Sequence, residues 1–292
     1  MSEFPQKKFK RSVTLFNRMS SGTLIKSGVW AEERCTAEVA EKILELAMFA
    51  TDPDYRKIKT TKKNNDKTDD YGEMNIHQMK AFVNDLKPRR EDVFVDLGSG
   101  IGQLVCYVSA TTSADMCVGI ELEPARAETG KKLLRYFKQL MKYFGKKLGT
   151  VVLHHGNVFD EKFCRLLTKK ATIGFVNNFS FSPAINDRIE RELIMFARNG
   201  MRIVSTAPFA LGSRRGIVTE ANKTKLLAIT HQSVLTSLPG GFSWSSNAVS
   251  MTMLTVDRNK LKEYEEQTNR AVERKPGGGN DGNMAKLQKT DN

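Results

Sequence analysis

From Asp92 to Pro208 the chain alternates between two hydrophobic periods. Short apolar runs at 93–97, 116–121, 150–154, 172–177 and 201–206 are separated by segments of helical spacing that begin near Gln103, Pro124, Asp160 and Pro183. Runs of this length read as buried strands, and the two prolines suit a first helical turn. Regular alternation predicts a doubly wound α/β fold, a mainly parallel sheet with helices on both faces. After Pro208 the alternation stops. Residues 225–237 and 248–257 read as two further strands joined by a Pro239-Gly240-Gly241 turn, which should pair antiparallel, close one edge and bring the sheet to seven strands. Ahead of the sheet, Val39, Ile43, Leu46, Ala47 and Ala50 predict a helix over 30–50, followed by a turn at Asp52-Pro53 and a lysine-rich loop. A second helix from about Asn75 places Ile76, Met79, Phe82, Val83 and Leu86 on one face, and Pro88 marks its end. The chain thus divides into a basic, disordered start (1–28), an N-terminal helical subdomain (29–91), the α/β domain (92–270) and a disordered tail (271–292) carrying Pro276-Gly277-Gly278-Gly279.

Composition narrows the functional classes. No run of 18 apolar residues exists, and the charged start MSEFPQKKFKR lacks the apolar stretch of a secretory signal. Cys35, Cys106, Cys117 and Cys164 show no CxxC spacing, which argues against a disulfide framework or zinc site and for a reducing compartment. The net charge of +13 is clustered. One group is Lys7, Lys8, Lys10 and Arg11; a second is Arg56, Lys57, Lys59, Lys62, Lys63 and Lys67. The third, Arg126 to Lys147, sets eight basic side chains against one acid. Separated clusters of one sign point to a polyanionic partner, nucleic acid or chromatin rather than membrane.

The segment richest in chemistry is Val93-Phe94-Val95-Asp96-Leu97-Gly98-Ser99-Gly100-Ile101-Gly102-Gln103, a strand entering a glycine-rich turn and then a helix. Gln103 breaks the dinucleotide pattern, and no Lys-Ser or Lys-Thr pair makes a phosphate loop. Asp96, two residues before the first glycine, would repel a pyrophosphate but suits S-adenosylmethionine, which carries an ammonium and a sulfonium and no phosphate. Glu121 ends the second strand, where a carboxylate can accept both ribose hydroxyls. At the third strand's end, Asn157 can take the adenine amino group on its side-chain oxygen, and Val158 can cover the ring. The bland alternative is that the two acids cap turns and the glycines tighten a loop. The fourth strand ends in Phe175-Val176-Asn177-Asn178-Phe179-Ser180-Phe181, at the carboxyl edge beside the first. There amide oxygens can accept from an amine, and rings can favour a cation.

Taken together, Val93–Gln103, Gly119-Ile120-Glu121, Phe175–Phe181, Arg202-Ile203-Val204-Ser205 with Pro208-Phe209, and Val249-Ser250 with Asp257-Arg258 resemble the disruptor of telomeric silencing family, over roughly residues 30–265. These are the non-SET enzymes that methylate lysine 79 of histone H3. The resemblance implies a class I methyltransferase sheet, a nuclear enzyme, S-adenosylmethionine as donor and the nucleosome as substrate; a monomer is expected. It implies that Tyr71-Gly72-Glu73 with Met74 folds over the donor, that Asp96 to Gln103 and Glu121 bind it, and that Asn157 and Val158 stand where the family has Asp-Phe. It further implies that Asn177 orients the amine while Phe175, Phe181, Trp244 and Ser250 shape a lysine channel. Met74 and Met251 depart from the family's small hydroxyl residue and tyrosine.

The expected reaction is in-line attack of a neutral lysine ε-amine on the sulfonium methyl, with positioning supplying most of the acceleration and no metal implied. Desolvation in an apolar channel lowers the lysine pKa, so no dedicated base is assigned; Glu73 or the donor's own carboxylate can take the proton through water. The basic clusters would hold DNA backbone, and Arg214-Arg215 an acidic histone surface. The rival readings are a family paralogue with weak or no activity that serves as a chromatin-binding module, and a methyltransferase for another substrate.

Overall fold

In the computed structural model, the described residues are 35–60, 72–209, 229–260 and 263. Outside them lie Tyr71, the Lys7–Arg11 group, Lys62, Lys63 and Lys67 of the second group, Arg214-Arg215, and the segments 1–28 and 271–292.

Seven strands form one sheet in the order β3-β2-β1-β4-β5-β7-β6. They are β1 (Val93–Leu97), β2 (Met116–Glu121), β3 (Thr150–His155), β4 (Ile173–Val176), β5 (Arg202–Ser205), β6 (Thr230–Leu235) and β7 (Met251–Val256). The first five are parallel; β7 runs antiparallel to β5, and β6 antiparallel to β7. The order reverses between β1 and β4, so the loops leaving those two strands diverge and open a crevice at the carboxyl edge. The helices are α1 (Ala37–Thr60), α2 (Ile76–Leu86), α3 (Gln103–Thr111), α4 (Pro124–Tyr143), α5 (Glu161–Arg165), continued by a π turn over Leu166–Lys170, and α6 (Pro183–Glu192).

Two apolar clusters sandwich the sheet. One joins Val39, Ile43 and Leu44 of α1 and Phe82 of α2 to α3, Leu133 and Phe137 of α4, and Phe94 and Phe175 of the sheet. The other sets Val95, Val118, Val176 and Ile203 against Phe163, Leu167 and Ile189. Alternation along β1 explains the division: Phe94 and Val95 point to opposite faces.

Two sequence expectations need correction. Asp52-Pro53 is not a turn, because α1 continues to Thr60. Proline's fixed φ is itself helical and removes only one backbone donor, and the turns before it are anchored by buried Ile43, Leu44, Ala47 and Ala50. The β6–β7 connection is also no tight hairpin. It spans residues 236–250 and is clamped to α2: fully buried Gln78 donates from Nε2 to Thr236 O (2.8 Å) and accepts Leu238 N on Oε1 (2.7 Å). Asn75, whose side chain caps α2 by accepting Gln78 N, donates to Gly240 O at 2.8 Å. Trp244 is thereby carried against Gly72.

Candidate functional site

A cavity of about 440 Å³ lies at the carboxyl edge, lined by residues at the exits of four strands: Leu97 and Gly98 at β1, Glu121 and Leu122 at β2, Asn157 to Phe159 after β3, and Asn177 with Ser180 to Ser182 after β4. A larger cavity of about 640 Å³, bordered by Lys87, Arg90 and Lys147, sits at the amino edge of the sheet. Ligands of open α/β sheets bind at the carboxyl edge, which selects the smaller cavity.

Its floor is set by backbone. Gly98, Gly100 and Gly102 have φ of 82°, 57° and 84°, a left-handed conformation that side chains resist. This winding lets Gly98 N and Ser99 N both donate to Ile120 O, at 2.8 and 3.0 Å, tying the turn to the tip of β2. At Gly119 an added Cβ would lie 2.6 Å from both Ser99 Oγ and Leu153 Cδ2, so only glycine permits this approach.

Glu121 is buried and heavily engaged. Its Oε2 accepts Gly100 N (2.8 Å), and Oε1 accepts Glu123 N (2.8 Å) and Arg126 Nε (3.0 Å). The turn-capping alternative is therefore real at this position, and it coexists with exposure of Glu121 to the cavity. Asp96 is 4% exposed, paired in register with Gly119 and Phe175. Burial, and secondly the charge of Glu121, push its carboxyl up to about 8. A buried acid in this state lacks the cation that would make ionisation favourable.

The other end is assembled from distant segments. Asn177 Nδ2 donates to Gly72 O at 2.9 Å, and its Oδ1 accepts the Thr206 hydroxyl at 2.8 Å. A Cβ on Gly72 would fall 2.2 Å from Trp244 Nε1 and 3.2 Å from Asn177 Nδ2, so the glycine is held between the two. Trp244 stacks on exposed Phe179 at 3.9 Å between centroids. Glu73 N donates to Ser243 Oγ and Ser243 N to Glu73 O, fixing the same strap. Phe181 lines the cavity above Gly98.

Several predicted site residues lie elsewhere. Phe175 is not a channel wall but core, edge-on to Phe82 at 5.2 Å, because alternation in β4 points it at α2. Met251 is fully buried in β7 opposite Leu235, and Met74 is buried where it bridges to Phe242; neither reaches the cavity. Ser250 is exposed and outside the cavity lining. Gln103 donates to Met48 Sδ at 3.4 Å, and Phe94, Val95, Ser99 and Ile101 are buried scaffold. Asn178 offers no oxygen to an amine: it is fully buried and accepts Thr206 N and Ala207 N, bracing two strand exits. Asn157 already accepts Phe159 N on its side-chain oxygen at 3.0 Å, leaving that oxygen one lone pair.

Sequence reasoning missed Arg126, Phe159 and Arg188. All three line the cavity, with the Arg188 guanidinium 3.9 Å from the Phe159 ring centre. Arg126 was read as part of a basic run; its place in the first turn of the helix leaving β2 was the available signal. Lys146 is likewise buried, so two of the eight basic side chains of that run are not surface charge.

Known proteins bear on this geometry. The family profile "Histone methylation protein DOT1" matches residues 49–256. A Caenorhabditis elegans histone-lysine N-methyltransferase, H3 lysine-79 specific, is 36% identical over 242 residues, covering 82% of this chain and 25% of the relative. Its Drosophila melanogaster counterpart is 30% identical over 194 residues, covering 66% and 10%. The chain thus spans a quarter or less of the length of these relatives. The solved O-methyltransferase TomG from Streptomyces achromogenes overlaps with TM-score 0.46 and 14% identity, covering 72% of this chain and 89% of that one, too loosely to bear on function.

Proposed function

The chain belongs to the DOT1 family of histone methylation proteins, and on that premise we propose that it transfers methyl from S-adenosylmethionine to lysine 79 of histone H3 in nucleosomes, in the nucleus and as a monomer. The observation that carries the reading is one cavity running from Asn157 through Glu121 and Gly98 to Asn177 and Gly72.

The residues present fit a phosphate-free, cationic nucleoside. Glu121 ends β2 at the cavity, and Asp96 lies buried one residue inside the end of β1, outside the cavity lining, so that two acids stand where a pyrophosphate would be repelled. Glu121 has one lone pair remaining on Oε2 for a ribose hydroxyl, which revises the expectation that it takes both. Asp96 would neutralise the ammonium, the glycine turn would let the amino-acid end approach the backbone, and Asn157, Val158 and Phe159 would enclose the adenine. Bound there, the donor supplies a methyl group on a sulfonium, already a good leaving group.

The chain's own part is positional. Asn177 holds the Gly72 strap closed, while Trp244, Phe179 and Phe181 form an apolar entrance that strips water from a lysine side chain. Desolvation favours the neutral amine, so loss of its proton needs no strong base. Exposed Lys131, Arg135, Lys138 and Lys142 share one face of α4 and suit DNA backbone through a salt-sensitive contact.

Incubation with methyl-labelled donor and either nucleosomes, free histones or DNA tests the proposal. Label on lysine 79 of H3 in nucleosomes is expected; label on DNA alone overturns it.

A further inference from the structure

The Glu121 carboxylate has four lone-pair sites, and three are filled: two on Oε1 by Glu123 N and Arg126 Nε, one on Oε2 by Gly100 N. A vicinal diol entering the cavity presents two hydroxyls, so one of them finds no acceptor on Glu121. Arg126 stands against the same carboxylate, its side chain 13% exposed, and it lines the cavity beside Glu121 and Leu122. It is held there locally: Glu123 caps α4 by accepting Ala125 N (3.0 Å) and Arg126 N (2.6 Å), and its Oε2 lies 3.9 Å from Arg126 Nε. A guanidinium carries its N–H donors in a rigid planar fork, and engaging Nε on Glu121 fixes the plane of that fork at the cavity wall.

We infer that Arg126 is a second ribose-reading residue, so that one hydroxyl of the diol donates to Glu121 Oε2 while the other accepts from the Arg126 guanidinium. This rests on the donor reading above and adds to it a specificity: the pocket recognises the diol as a donor–acceptor pair. A hydroxyl is both donor and acceptor, so the two sugar oxygens satisfy this arrangement without displacing any of the three bonds on Glu121.

The test is calorimetric and needs no turnover. S-adenosylhomocysteine and its 2′-deoxy and 3′-deoxy analogues are titrated into the wild-type chain, Arg126→Met and Glu121→Gln. In the wild type each missing hydroxyl is expected to weaken binding about 10-fold. In Arg126→Met one of the two analogues should bind within about 2-fold of the parent, because the partner of that hydroxyl is gone; the other analogue should keep its full loss. If Arg126 merely braces Glu121, both hydroxyls lose value together, and the inference fails. It also fails if both analogues keep their wild-type penalties. Absence of any S-adenosylhomocysteine binding to the wild type at millimolar ligand would instead sink the donor reading itself. Should Arg126→Met melt near room temperature, Arg126→Lys carries the same test, since it keeps the charge and loses the fork.

Discussion

Glu121 draws its three hydrogen bonds from residues 2, 5 and 21 positions away, whereas Asn177 reaches 105 positions back to Gly72 and 29 forward to Thr206. The end of the cleft proposed for the donor is thus wound locally, by one glycine turn and the start of one helix. The end proposed for the acceptor is stitched from three segments far apart in the chain. A local site is committed by backbone conformation, and damage there should abolish ligand binding. A stitched site is held by single side-chain bonds, and damage there should spare the donor while misplacing the acceptor.

The largest expected effect is at the donor end. Glu121→Ala removes the acceptor of Gly100 N, Glu123 N and Arg126 Nε together, and each charge-assisted bond contributes roughly 1.5–3 kcal/mol. We expect at least ~100-fold weaker S-adenosylhomocysteine binding by calorimetry, with a lower melting temperature. Equal binding would show that the cavity is not where the nucleoside sits.

At the acceptor end, Asn177→Ala should separate the two functions. It frees the Gly72 strap and leaves the Thr206 hydroxyl without its acceptor, so single-turnover transfer is expected to fall ~100-fold while donor affinity changes less than ~3-fold. Parallel loss of both would place the amide in the donor half instead.

A smaller effect is expected at Gly72→Ala, where the new methyl meets the Trp244 ring and the indole must move off Phe179. Overpacking of this kind costs about 1–3 kcal/mol. Chemical denaturation should report that loss, and tryptophan emission should shift as the stack opens; unchanged emission would mean that the strap, not the ring, gives way.

A last effect is a pH dependence that belongs to the donor end alone. The unfolded chain ionises Asp96 near the ordinary aspartate value of 3.8, the folded chain at about 8. Between those values the unfolded state binds fewer protons, so stability without ligand falls as pH rises, and the penalty is complete above pH 8. An ammonium arriving at Asp96 favours the ionised form, so ligand binding at pH 7 should release ~1 proton, seen as a buffer-dependent enthalpy. Asp96→Asn should abolish both the release and the slope.

The same contrast explains what was legible in the sequence. β1, β2, α3 and α4 begin where periodicity put them, because burial on both faces and Pro124 fix them locally. The glycine turn and both acids were readable for the same reason. Phe175, Met251 and Asn178 were misread because their roles depend on which face of a strand meets which partner. Phe82 covers Phe175, the core on the α1 and α2 side takes up Met251, and Thr206 and Ala207 occupy Asn178. No spacing rule contains that information. Gln78 and Arg126 looked like ordinary helix polars; the 236–250 connection makes the first structural, and the tip of β2 turns the second to the cavity.

A crystal structure of the chain with S-adenosylhomocysteine tests the central claim most directly. The account predicts the ribose between Glu121 and Arg126, the amino group at Asp96, and the sulfur facing the Asn177–Gly72 strap. A nucleoside found at the amino edge of the sheet, among Lys87, Arg90 and Lys147, would contradict it.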